Sequence, residues 1–260
     1  MKPIVLWQIL LGLALAACGA PGAEQPSATS EPVAEPSDTP APLPTAAPTF
    51  TPLPPTEVPT ATPVGQIFRD DFGGPLGPGW EWQNEDAQRW EITDDGWLQI
   101  AGGDTALLAE GTQSNVLWRQ LPEGDFQITV RVRTDPAANF QQTTIYIYEN
   151  AQNYIALNRG YCAPCTPGGN AIYMEYKIGG GFGAYHYATT ATDLYLRLAS
   201  VGTELSGWYS LNGTDWNRVG RFGNFYKFSR VGLGVTNVDR QGSINADLIG
   251  QFDFFEIMRP

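Results

Sequence analysis

One histidine, His186, is present in 260 residues. A Ser-His-Asp triad or a histidine-built metal site therefore has a single candidate, and His186, between Tyr185 and Tyr187, has no assignable partner. It reads as a hydrogen-bonded surface residue. Basic residues are also scarce: 15 Lys and Arg stand against 27 Asp and Glu, for a net charge of −12. With no basic stripe, nucleic acid is excluded as a partner. No apolar run is long enough to cross a bilayer. The longest, Ile4 to Ala17, is interrupted by Gln8 and Gly12. Beyond residue 65, no segment repeats its apolar residues at helical spacing between helix caps, which excludes a helical or α/β domain.

What is present falls into three parts. Residues 1–17 carry one cation, Lys2, and then the short apolar run, as a secretory signal peptide does. The run ends in Leu15-Ala16-Ala17-Cys18-Gly19, which resembles the bacterial lipoprotein signal. That resemblance implies cleavage before Cys18, lipidation of Cys18, and a protein held on the outer side of a membrane by acyl chains. Residues 18–65 form the second part. Positions 21 to 65 hold 13 of the 21 prolines and five acidic residues, with no Lys or Arg. Such a stretch buries no core and is expected to be a disordered, extended stalk. The third part, residues 66–260, has the length of one β domain. Its 22 acidic and 14 basic residues give it a net charge of −8.

Strand signals fill this third part. Leu194, Leu196 and Leu198 alternate with Tyr195 and Arg197. After Val201-Gly202, the return run places Leu205, Gly207 and Tyr209 on one face and Glu204, Ser206 and Trp208 on the other. Trp208 thus occupies a position where the alternation calls for a polar residue. Asn212-Gly213 then marks a tight turn before Trp216. Trp90-Glu91-Ile92 and Leu98-Gln99-Ile100 flank Asp94-Asp95-Gly96 as a second hairpin. Strands are also expected over 126–133, 144–148, 154–157, 172–177, 231–235 and 252–257. Their short, regular spacing predicts an antiparallel sandwich. Cys162 and Cys165 lie in a loop, with no βαβ pattern for redox chemistry and too few further ligands for a metal. A small disulfide tightening the loop is expected.

In chain order, Asp70-Asp71-Phe72, Trp80, Asn153-Tyr154-Ile155, Tyr209-Ser210-x-Asn212-Gly213-x-x-Trp216 and Phe252-Asp253-Phe254-Phe255 resemble the concanavalin A-like lectin/glucanase superfamily. The resemblance is nearest to the sandwich appended to family 43 β-xylosidases and to the DUF1349 domains. It implies an all-β, two-sheet jelly roll whose curved inner sheet often holds a saccharide. It also leaves room for a calcium ion near Asp70, Asp71 and Asp253, to which the sequence does not commit. Catalytic glucanases of this fold carry Glu-x-Asp-x-x-Glu on one strand, and that pattern is absent here. Asp253 and Glu256, three apart, are expected on opposite strand faces.

These features point to carbohydrate binding without catalysis. Sugar rings stack on exposed aromatics while planar polar groups take their hydroxyls. The alternation turns Tyr146, Tyr148, Tyr173, Glu175, Tyr195, Arg197 and Trp208 away from the core, and these are the candidate ligand-binding residues. Trp80, Trp82, Trp90, Trp97, Trp118 and Trp216 are expected in the core or packed on turns. Two alternatives remain open at this stage: a protein-binding scaffold with no sugar site, and an enzyme resembling the 3-keto-disaccharide hydrolases.

Overall fold

The structure, a computed structural model, describes residues 65–103, 112–223, 226–237 and 247–260. The expected signal peptide, Cys18 and the stalk as far as residue 64 lie outside the described residues.

Two antiparallel sheets face each other. The larger is eight-stranded and runs in the order β13 (Asn217–Gly223), β12 (Glu204–Ser210), β11 (Asp193–Val201), β6 (Phe126–Thr134), β15 (Leu248–Met258), β4 (Leu98–Gly102) and β3 (Trp90–Ile92). The first half of β15 pairs with β4. Its second half pairs with β1 (Gln66–Asp70), which shares the same edge. The smaller sheet is seven-stranded, in the order β10 (Gly181–Ala188), β9 (Asn170–Ile178), β8 (Asn153–Tyr161), β7 (Gln141–Asn150), β14 (Arg230–Asn237), β5 (Val116–Gln120) and β2 (Glu81–Gln83). Both expected hairpins form, with Arg197 opposite Trp208 and Glu91 opposite Gln99.

Strand alternation builds the core between the sheets. Leu194, Leu196 and Leu198 of β11, Ile128, Val130 and Val132 of β6, Ile145 and Ile147 of β7, and Val231, Leu233 and Val235 of β14 are all buried there. Apolar burial at about 25 cal/mol per Å² is the main favourable contribution to such a sandwich. The N-terminal segment closes one side of it. Trp80 packs on Phe255 with ring centroids 4.9 Å apart, and its indole nitrogen donates to Asp70 at 2.9 Å.

β15 corrects one expectation. Its pairing with β6 shifts between Phe252 and Phe255, a β-bulge that changes the phase of the strand. Phe252 and Phe255 both point inward and are fully buried. Asp253 and Glu256 therefore both reach the outer surface, where Asp253 pairs with Arg131 at 3.2 Å and Glu256 with Arg69 at 3.4 Å. Each carboxylate has its own arginine. Asp70 accepts from the backbone of Phe72 and Gly77, which makes it a turn former, and Asp71 pairs with Arg69. Among the described residues, no group of three or more His, Cys, Asp or Glu is placed to hold a metal.

Candidate functional site

The side of the seven-stranded sheet turned away from the core gathers aromatic and amide side chains. Glycines in β14 make this arrangement possible. A Cβ on Gly232 would lie 2.4 Å from the Trp118 ring, and one on Gly234 would lie 3.2 Å from Tyr146. Bare backbone at these two positions leaves room for both rings against the strand. Trp118 and Tyr148 stand 5.3 Å apart, and the Arg230 guanidinium sits 4.8 Å over Trp118 and 5.0 Å over Tyr148. Trp118 donates its indole N–H to Gln83 Oε1 at 3.1 Å.

A polar patch adjoins these rings on neighbouring strands. Glu175 Oε2 accepts from Gln142 Nε2 at 3.0 Å and from Asn158 Nδ2 at 3.2 Å. Two amides therefore fix the orientation of a half-buried carboxylate. Tyr146 donates its hydroxyl to Gln113 Oε1 at 3.2 Å and lies 3.3 Å from Thr236 Oγ1. Asn158 and Gln113 are fully buried, yet Asn158 Oδ1 and Gln113 Nε2 have no hydrogen-bond partner among the described residues. A buried polar atom left unpaired costs about 1–3 kcal/mol, so such atoms in a native fold call for an explanation.

The seven candidate residues do not share one groove. Tyr146, Tyr148, Tyr173 and Glu175 stand on this face of the seven-stranded sheet. Tyr195, Arg197 and Trp208 stand on the outer face of the other sheet, because β11 pairs with β6 and not with β9. Two of the first four are also seated deeper than alternation implies. Tyr146 and Tyr173 are each 3% exposed. Tyr173 lies beneath the loop that carries the Cys162–Cys165 disulfide, and its hydroxyl donates to Gly169 O at 2.7 Å. Both rings support the face from beneath and do not present a stacking surface. Tyr148 and Glu175 remain accessible. The sequence reading missed Tyr154, Gln142, Asn158 and Gln113. Trp118, expected in the core or packed on a turn, is 2% exposed and lies in a small buried cluster with Tyr146 on this side of the sheet.

Burial raises the tyrosine hydroxyls of this face. That of Tyr154 is pushed up to about 12 from its ordinary 10, with the charge of Glu175 adding to the effect. Those of Tyr146 and Tyr173 rise for the same first reason, burial. Unfolded tyrosine ionises near pH 10, while the folded state holds the neutral phenol. Stability is therefore full below about pH 10 and falls as pH rises toward about 12. Thermal melts across this range are expected to show a falling Tm. Tyr154→Phe should flatten that fall, and an unchanged slope would contradict the assignment.

On the outer face of the eight-stranded sheet, arginines lie against aromatic rings. Arg131 takes Asp193 in a two-pronged pair at 2.9 Å for each contact, which with Asp253 holds its guanidinium well above the usual arginine range. Arg197 lies 3.5 Å over the Trp216 ring, and Arg218 lies 5.6 Å over Trp208.

A two-sheet antiparallel sandwich with no helix among its described residues and an aromatic and amide patch on one sheet defines a concanavalin A-like domain. The chain belongs to the family of the β-xylosidase C-terminal concanavalin A-like domain, whose profile matches residues 69–237. Solved structures with the same fold include the GH43 protein BlXynB from Bacillus licheniformis, at 20% identity and a TM-score of 0.62 over 74% of this chain and 39% of that one. They also include GH43B of a xyloglucan PUL from Bacteroides ovatus, at 15% identity and a TM-score of 0.64 over 78% and 41%. A third is the xylan β-1,4-xylosidase from Bacillus halodurans, at 15% identity and a TM-score of 0.62 over 78% and 41%. The chain thus spans about two fifths of the length of these proteins. Comparison with curated proteins gives no match.

Proposed function

We propose that this protein is a non-catalytic carbohydrate-binding module, held by a lipid on Cys18 at an extracytoplasmic membrane surface and carried outward on its proline-rich stalk. The ligand is a polysaccharide, with xylan-type chains as the first class to test, since the family is that of β-xylosidase C-terminal domains. The supporting observation is the patch on the seven-stranded sheet. There a carboxylate oriented by two amides, Glu175 with Gln142 and Asn158, shares the face with the half-buried Tyr148 ring, which Trp118 and Arg230 hold in place. An apolar sugar face suits the Tyr148 ring, and hydroxyls suit Glu175.

Calorimetric titration of the chain with xylo-oligosaccharides tests the reading. Glu175→Ala is expected to weaken binding about tenfold or more, the scale of losing a charge-assisted hydrogen bond. Tyr148→Ala is expected to weaken it further, with little change in Tm. Equal affinity in both variants would show that the sugar sits elsewhere.

A further inference from the structure

On the outer face of the eight-stranded sheet there is a cavity of about 370 Å³, lined by residues that include Gln127, Arg197, Glu204, Ser206, Trp208 and Trp216. Its volume falls in the roughly 300–1,000 Å³ range of small-molecule sites. Cross-strand register assembles it. Arg197 of β11 stands directly opposite Trp208 of β12 and Thr129 of β6. Trp208 is fixed by its indole N–H donating to Ser206 Oγ at 3.0 Å.

Arg197 is the cation of this cavity. Its Nε donates to Thr129 Oγ1 at 3.1 Å, and its flat face covers Trp216. It is half-buried, yet among the described residues it has no carboxylate within ion-pair distance. The acids around it have other partners: Glu256 pairs with Arg69 at 3.4 Å and Glu204 with Arg221 at 3.0 Å. Burial lowers the Arg197 pKa, with the charge of Glu256 acting in the opposite sense. The edge of a stacked guanidinium presents parallel N–H donors whose geometry matches a carboxylate.

We propose that this groove binds a carboxylate-bearing sugar, a uronic acid residue of a polysaccharide, with its ring on Trp208 and its carboxylate on the Arg197 fork. The groove is a second site, separate from the patch around Glu175 and on the other sheet.

The test is calorimetric titration of the full chain, and of its Glu175→Ala variant, with xylotriose carrying one glucuronic acid residue and with plain xylotriose. The uronate ligand is expected to bind about tenfold tighter or more. That advantage should shrink as salt rises. It should persist in Glu175→Ala, so failure of the first site and failure of this one read differently. Arg197→Gln should abolish the advantage, and Arg197→Lys, which keeps the charge without the fork, should retain only part of it. Trp208→Ala should weaken the uronate ligand in the Glu175→Ala background. Equal binding of the two sugars, no binding of either, or an advantage that survives Arg197→Gln would overturn the proposal. Should Arg197→Gln fail to fold, Arg197→Lys decides the matter by the same comparison.

Discussion

Arg159→Ala is expected to lower stability by about 3–5 kcal/mol, the scale of breaking a buried charged interaction. Arg159 is 1% exposed. It donates to Ala191 O at 2.8 Å, to Gly160 O at 2.8 Å and to Asn170 Oδ1 at 2.7 Å. Burial lowers its pKa, with the charge of Asp135 acting in the opposite sense. Ala191 belongs to the connection that carries the chain from β10 in one sheet to β11 in the other. Truncation therefore does three things at once. It leaves acceptors without their charged donor, opens a void, and frees the crossing segment. At about 2–4 °C per kcal/mol for a domain of this size, Tm should drop by roughly 6–20 °C. Arg159→Met restores much of the volume without the donors and should recover part of the loss. A melt of Arg159→Ala within a degree or two of the parent would show that the three bonds contribute nothing net.

Phe255→Ala is expected to be comparably severe, at about 3–5 kcal/mol. Phe255 is fully buried on β15, the strand to which β1, β4 and β6 all attach. Its ring meets Trp80 at 4.9 Å and Phe68 at 6.1 Å between centroids. The void would open where the N-terminal segment docks. Hydrogen exchange should consequently quicken first in β1 and in the turn held by Asp70. The face around Glu175 lies on the other sheet and should keep its protection. Uniform loss of protection across both sheets would mean that the segment is not a separate unit of stability.

The all-β class and the core faces were legible because period-two alternation survives burial on one side. The leucines of β11 and the isoleucines of β7 announced their direction without help. The sheet to which each strand belongs was not legible, since it depends on pairings distant in sequence, such as Arg197 with Thr129. That is why Trp208 and Tyr146, both turned from the core, lie on different surfaces. The depth of Tyr146 and Tyr173 was hidden for another reason. Alternation reports which way a side chain points and not what covers it, and here a loop and neighbouring side chains do the covering. Gly232 and Gly234, isolated in an otherwise apolar strand, were the available signal that large rings cross β14. The bulge in β15 left no comparable mark, and it reversed the expectation for Asp253 and Glu256. Trp216, expected in the core or packed on a turn, instead forms one wall of the Arg197 groove.

Amide chemical-shift mapping during a xylo-oligosaccharide titration tests the carbohydrate-binding account most directly. The account predicts saturable shifts centred on Tyr148, Asn158 and Glu175, and their loss in Glu175→Ala. No shifts at millimolar sugar, or shifts confined to surfaces away from that face, would contradict it.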